Sequence, residues 1–325
     1  MKKLLKYTVY VVIVVVVIAI AAVSYITLAL PNVGKAEDIK VALTPQRIER
    51  GKYLANHVTL CMDCHSTRDW TKFAGPMLEG SDGKGGEKFD AAVGFPGNVE
   101  VPNITPYHLG NWTDGELLRA ITTGVRKDGS AIFPIMPWPY YSKMDREDLY
   151  SIIAYIRSLK PIKADYASAK LNFPLNIIVH TMPQKASLGK VPDTKDTLKY
   201  GEYLVTAAAY MECHSQVDKG KLIPGLEYAG GREFVIPNAG TVRSANITAD
   251  KATGIGSWTK AQFVNVFKQY ADSTKAKATV KPHEFQTIMP WYKYADLKET
   301  DLEAIYAYVK TIKPIKNQVV KFSAK

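Results

Sequence analysis

Cysteine is scarce in this chain. Only Cys61, Cys64 and Cys213 occur in 325 residues, and so sparse and odd a set excludes a disulfide-stapled framework. The cysteines are there for local chemistry. Sustained period-two alternation is also missing, so strands are expected to be minor elements. No nucleic-acid motif accompanies the formal charge of +11, so nucleic acid is not an expected partner. A basic surface then suits an acidic partner, an anionic lipid surface, or plain solubility. Disorder is not the default either, because 46% of the residues are hydrophobic and 22% charged, the usual globular mixture. The length accommodates two domains of ordinary size.

What is present begins with an uncharged run from Tyr7 to Leu30, rich in Val, Ile and Ala, behind Lys2, Lys3 and Lys6. As a helix it would be about 36 Å long, enough to cross the hydrocarbon core. The lysines before it place the N-terminus in the cytoplasm and everything after Leu30 outside it. A cleaved signal peptide is the competing reading. Such peptides have a shorter apolar core that ends at small residues, and Leu28-Ala29-Leu30-Pro31 makes a poor cleavage site. A single-pass membrane anchor is the expectation.

The rest of the chain repeats itself. Gly51-Lys52-Tyr53-Leu54 returns as Gly201-Glu202-Tyr203-Leu204, and Gly85-Gly86-Glu87-Lys88-Phe89 as Gly230-Gly231-Arg232-Glu233-Phe234. Asn103-Ile104-Thr105 returns as Asn246-Ile247-Thr248, Trp112-Thr113 as Trp258-Thr259, and Ile135-Met136-Pro137-Trp138 as Ile288-Met289-Pro290-Trp291. Each copy reads as helices joined by long loops. Thr113–Glu116 and Thr259–Gln262 fit capping boxes. Leu149, Ile152, Ile156 and Leu159 share one helical face, as do Leu302, Ile305, Val309 and Ile312, and both helices are expected to stop before Lys-Pro. Long loops fit a compact domain when they wrap a large bound group.

Cys61-Met62-Asp63-Cys64-His65 is the pattern of c-type haem attachment. Two thiols one helical turn apart reach the two vinyl groups of a porphyrin, and the adjacent histidine reaches the iron. A redox dithiol and half a zinc site are the other readings of CxxC. Met136, between Pro134 and Pro137, is the candidate sixth ligand, because it recurs as Met289 in the same Ile-Met-Pro-Trp context. His/Met ligation raises the reduction potential and suits electron transfer. Met62, Met77, Met144, Met182 and Met211 lack that context and are expected in packing.

The second copy has Tyr210-Met211-Glu212-Cys213-His214, with tyrosine at the first cysteine position. Three readings stay open: one thioether through Cys213 with His214 and Met289 on the iron, ligation without a covalent bond, or a domain without haem. The retained Cys213, His214 and Met289 favour the first. Without its three leading lysines the chain carries about +8, and two haems with two propionates each would leave about +4. Trp112 and Trp258 are expected in packing, Asn103 and Asn246 in turns. His57, His108, His180 and His283 are expected at the surface or in loops. Arg119 either pairs with a propionate or is a solvated helix residue.

Asn-Ile-Thr-Pro, Gly-x-Trp-Thr, a Met-Pro loop and an Asp-Leu-x-x-Ile-x-Ala-Tyr helix together resemble the multihaem class I cytochromes c of bacterial respiratory membranes. The cytochrome c subunits of membrane-bound alcohol and sugar-acid dehydrogenases are the similar proteins. The resemblance covers about residues 44–160 and 196–315. It implies haem c, His65 and Met136 as one axial pair, and His214 and Met289 as the other. Those subunits often carry three full CxxCH motifs, whereas this chain has one full and one degenerate.

The expected fold is all-α, with two tandem cytochrome c domains behind one transmembrane helix. Residues 1–30 form the anchor, 31–43 a linker, 44–160 the first domain, 161–195 a connector and 196–325 the second domain. The apolar patch from Leu171 to Met182 is expected across the domain junction. The expected function is a one-electron relay on the periplasmic face, without catalysis of its own. Its partners would be other redox proteins or dehydrogenase or oxidase subunits. A dihaem peroxidase-like enzyme, or a one-haem carrier with a haem-free docking domain, are the alternatives.

Overall fold

The computed structural model describes residues 1–272, 274 and 278–324. Helix α1 (Lys2–Ala29) stands free of the rest along most of its length and buries none of its residues. It is the one described helix long and apolar enough to cross a membrane. The segment after it is tied down. Val41 is buried and its N–H donates to Asp114 at 2.8 Å, while Glu37 pairs with Arg146 at 2.6 Å.

The first repeat contains α2 (Pro45–Tyr53), α3 (Cys61–Cys64), α4 (Pro106–Leu109), α5 (Asp114–Thr123), α6 (Trp138–Tyr141) and α7 (Arg146–Ser158). A short helix, α8 (Leu175–Ile178), lies in the connecting segment. The second repeat contains α9 (Thr197–Ala207), α10 (Tyr210–His214), α11 (Lys260–Lys268), α12 (Trp291–Tyr294) and α13 (Glu299–Val309). Thr44 caps α2 through its side chain with proline at the first helical position, where the missing N–H costs nothing. Both capping boxes form, Thr113 with Glu116 and Thr259 with Gln262. Helix α7 buries Leu149, Ile152 and Ile156, and α13 buries Leu302, Ile305 and Val309. Leu159 and Ile312 fall just past the helix ends.

In each repeat the first helix crosses the last at a glycine. A Cβ on Gly51 would sit 1.8 Å from the Ser151 carbonyl oxygen, and one on Gly201 would sit 1.9 Å from that of Ala304. Only glycine permits that approach. The apolar core is continuous through both repeats, with Leu54, Leu149 and Ile152 in the same buried cluster as Leu204, Leu302 and Ile305.

The fold is mainly helical, but the all-α expectation needs correcting. Three small antiparallel sheets are present among the described residues. Strands β1 (Lys88–Phe89), β2 (Gly97–Glu100) and β3 (Lys170–Leu171) form one, and β4 (Val217–Asp218) with β5 (Lys221–Leu222) another. Strands β6 (Glu233–Ile236), β7 (Gly240–Arg243) and β8 (Phe322–Ala324) form the third. Each is two to four residues long, too short to show an alternating pattern.

The patch from Leu171 to Met182 does not pack across the junction. Leu171 and Lys170 pair with Gly97 and Asn98 of the first repeat, and His180 meets the Leu30 carbonyl at the end of α1. Phe173 and Ile178 are left 79% and 41% exposed beside it.

Candidate haem sites

Each candidate attachment segment begins at a residue in the left-handed region, Leu60 at φ 54° and Ala209 at φ 51°. Non-glycine residues pay steric strain there, so the surrounding structure must hold both. In the first repeat, Thr59 does so: its hydroxyl meets the Leu54 carbonyl at 3.0 Å and Cys61 Sγ at 3.2 Å, and its carbonyl accepts the buried Tyr141 hydroxyl at 2.7 Å. Cys61 and Cys64 then lie one turn apart on α3.

The two histidines are held alike. His65 Nδ1 lies 2.8 Å from the Pro102 carbonyl oxygen, and His214 Nδ1 lies 2.8 Å from that of Ala245. A carbonyl partner fixes the proton on Nδ1 and leaves Nε2 with a free lone pair, able to act as a donor. Burial lowers both imidazoles from their ordinary value, which keeps them neutral. The Gly-Gly repeats closed this arrangement, since Gly85 N–H donates to the His65 carbonyl at 2.9 Å and Gly230 N–H to that of His214 at 2.7 Å. The Asn-Ile-Thr repeats close the loops behind them. Asn103 Oδ1 accepts from Thr105 N and Oγ1 while its amide binds Ile162 and Ala164 carbonyls. Asn246 does the same with Thr248 and the Ile315 carbonyl.

The methionine loops also match. Trp138 N–H donates to the Met136 carbonyl at 2.7 Å, and Trp291 N–H to that of Met289 at 2.8 Å. The proline between them sits at φ −78°, ψ 46° in one and φ −83°, ψ 65° in the other. Both are inverse γ-turns. Both methionines are half-buried against the common core.

The donor set suits a c-type haem in the first repeat: two thiols, a neutral imidazole and a thioether. Cys64 is solvent-exposed in part, yet the protein crowding its sulfur, and then Asp63, push the thiol up to about 12. Burial pushes Cys61 up as well. Such thiols are poor thiolate nucleophiles, which counts against a redox dithiol. Among the described residues no group of three or more His, Cys, Asp and Glu side chains converges, so CxxC finds no further ligands there for zinc. In the second repeat Cys213 is pushed up to about 11 by the protein around it. Tyr210, at the first cysteine position, is buried with its hydroxyl unpartnered. A polar atom left so beside His214, 6.0 Å away ring to ring, is consistent with a bound group at this place.

Other histidines separate. His57 is not at the surface: it is half-buried, with Nδ1 2.8 Å from the Lys293 carbonyl of the other repeat. His108 bonds Tyr166 at 2.6 Å. Arg119 donates to the Arg126 carbonyl at 2.7 Å while its Nε has no partner.

The sequence reading passed over two acidic residues. Asp63 and Glu212 stand at the same place in the two motifs. Asp63 pairs with Arg68 at 3.2 Å and accepts the hydroxyl of Tyr292. Glu212 pairs with Arg232 at 2.6 Å and accepts the hydroxyl of Tyr140 at 3.3 Å. Their shared acidity at one motif position was the available signal.

No protein-family model matches the chain. It is 26% identical over 282 residues to the cytochrome c subunit of a quinone-dependent alcohol dehydrogenase from Gluconacetobacter polyoxogenes, a match covering 82% of this chain and 56% of that one. It is 29% identical over 286 residues to the fructose dehydrogenase cytochrome subunit of Gluconobacter japonicus, covering 82% and 52%. A diheme cytochrome c-type protein of Cereibacter sphaeroides is 24% identical over 248 residues, covering 72% of this chain and 81% of that one. The chain therefore spans little more than half the length of the two dehydrogenase subunits. Over most of its own length, it resembles the cytochrome c subunits of alcohol, fructose and gluconate dehydrogenases.

Proposed function

We propose that the chain is a membrane-anchored dihaem c-type cytochrome that passes single electrons between a dehydrogenase or respiratory partner and an acceptor. The observation that carries this reading is the paired histidine arrangement, each Nδ1 at 2.8 Å from a loop carbonyl. A site that had lost its cofactor would have no physical need to keep an imidazole aimed and neutral. In this reading residues 44–160 hold one haem through Cys61, Cys64, His65 and Met136. Residues 196–325 hold the other through Cys213, His214 and Met289. When bound, the haem would supply an iron able to take up and release one electron. The protein's part would be to fix the imidazoles of His65 and His214 through their loop carbonyls and to offer the thioethers of Met136 and Met289 as further donors. The chain has no catalytic residues of its own in this account.

The anchor reading rests on α1 and on what sits at its end. Exposed Phe173 and Ile178 lie beside the C-terminal end of the helix, where apolar side chains would enter the outer bilayer interface. The haem domains would then face the periplasm of a bacterial inner membrane.

The test is mass spectrometry of the chain from its native membrane, combined with an iron count. Two irons, a haem on the Cys61–Cys64 peptide and a haem on the Cys213 peptide are expected. One iron and an unmodified Cys213 peptide would reduce the function to a one-haem carrier.

A further inference from the structure

Asp63 and Glu212 sit between the attachment cysteine position and the next cysteine in their motifs, so each would lie against its own cofactor. Asp63 and Arg68 are both nearly fully buried, with side chains 6% and 7% exposed. A carboxylate so placed is poorly screened and acts strongly on its surroundings. What offsets it comes from two directions. The arginine belongs to the same repeat, but the tyrosine belongs to the other. Tyr292 lies three residues after Met289 and donates to Asp63. Tyr140 lies four residues after Met136 and donates to Glu212.

Each methionine loop thus reaches across the junction and places a hydroxyl on the attachment segment of the opposite half. The two tyrosines are not repeat-matched. Pro139 stands where the second copy has Tyr292, and Lys293 stands where the first has Tyr140. Lys293 is used instead to bond Asn56 Oδ1 at 2.9 Å. The same reciprocal contact is therefore built from different positions. Tyr141 and Tyr294, which are matched, fill the space between and are both buried in the common core.

We propose that Tyr292 and Tyr140 are positioning residues that tune, across the junction, the reduction potential of the cofactor held by the opposite half. The inference rests on the haem reading above. A hydroxyl donated to the carboxylate offsets part of its negative charge. Without it, the oxidised, more positive cofactor is favoured and the potential falls.

Midpoint potentials of the full-length, haem-loaded chain in detergent test this, with haem and iron content measured on each preparation. Tyr292→Phe is expected to shift the His65 site to lower potential and to move the second site less, although Met289 is its near neighbour in sequence. Tyr140→Phe is expected to lower the second site by a smaller shift, because Glu212 is 36% exposed and its contact is longer. Asp63→Asn is expected to raise the first potential, and Tyr292→Phe in that background to add little. A fully loaded Tyr292→Phe chain with an unchanged first-site potential overturns the inference alone. So does an equal shift in the Asp63→Asn background. Both readouts hold even if only the first site carries haem. A wild-type chain without haem refutes the function and the inference together.

Discussion

Tyr53 donates its hydroxyl to Asp301 at 2.6 Å, across the junction between the two repeats. The mirror contact runs from Tyr203 to Asp148 at 2.7 Å. The reciprocity extends to the backbone, since Lys298 N–H donates to Tyr53 Oη at 3.1 Å and Asp145 N–H to Tyr203 Oη at 3.3 Å. Each tyrosine comes from the first helix of one repeat, and each aspartate from the last helix of the other. Arg50 completes the first side with a two-pronged bond to Asp148, at 2.9 Å on both prongs. On the second side Tyr200 takes that place, at 3.5 Å from Asp301.

Removing either hydroxyl leaves a buried carboxylate short of a donor. Tyr53→Phe and Tyr203→Phe are each expected to cost about 1.5–3 kcal/mol, the range for a hydrogen bond to a charged group. Tyr53→Phe should cost more, because Asp301 has no arginine to fall back on while Asp148 keeps Arg50. Thermal unfolding of the full chain in detergent measures the difference. Equal losses would show that Arg50 gives Asp148 no reserve.

Gly51 and Gly201 set how closely the helices of each repeat cross. A Cβ at either would overlap a backbone carbonyl that cannot swing aside. Gly51→Ala and Gly201→Ala should each cost about 3 kcal/mol, at the upper end for overpacking. Gly129 is the control, since a Cβ there would meet nothing within 4 Å. Its φ of 86° makes Gly129→Asn a better substitution than alanine. A Gly51→Ala chain that unfolds at the wild-type temperature would mean α2 shifts on α7 at no cost.

His57 gives the junction a pH dependence. Burial lowers its imidazole from the ordinary value, opposed by the Lys293 carbonyl. Lys293 and Lys52 nearby also disfavour a charged ring, and Asp296 favours it. The unfolded chain therefore binds this proton more tightly than the folded one. Its contribution is fully present above about pH 6.5, the unfolded value, and is lost as pH falls from there toward the lowered folded value. His57→Gln keeps an N–H for the carbonyl but cannot titrate. It should flatten the fall in unfolding temperature below pH 6.5, leaving the slope due to other buried histidines. An unchanged slope would place the acid sensitivity elsewhere.

The repeat was legible in the sequence because it is carried by residues with one permitted job each. Gly51 and Gly201 are needed for a close crossing, Asn103 and Asn246 for a buried turn, Pro137 and Pro290 for a γ-turn. The junction was not legible, because its contacts join residues 248 and 55 positions apart. Nothing local marks Tyr53 as a partner of Asp301. The placement of Leu171–Met182 failed for the same reason: its apolarity predicted burial against something, and only the fold decides between the junction and the end of α1. Met136 and Met289 were legible by recurrence, whereas Tyr292 and Tyr140 were not, since their shared role is filled from unmatched positions.

Tyr210 interrupts the cysteine pattern of the second motif, and the change can be reversed. In the proposed function the second haem has a single thioether, at Cys213. Cys213→Ser should remove covalent haem from the second repeat while leaving that of Cys61 and Cys64, read by haem staining of peptides under denaturing conditions. Tyr210→Cys should complete the motif and allow a second thioether, because α10 places position 210 one turn before Cys213 as α3 places Cys61 before Cys64. The tyrosine's loss costs its ring contact with Tyr294, at 5.8 Å, so some loss of stability is expected beside the new bond. A haem-bearing second peptide in the Cys213→Ser chain would show that attachment there does not run through this sulfur.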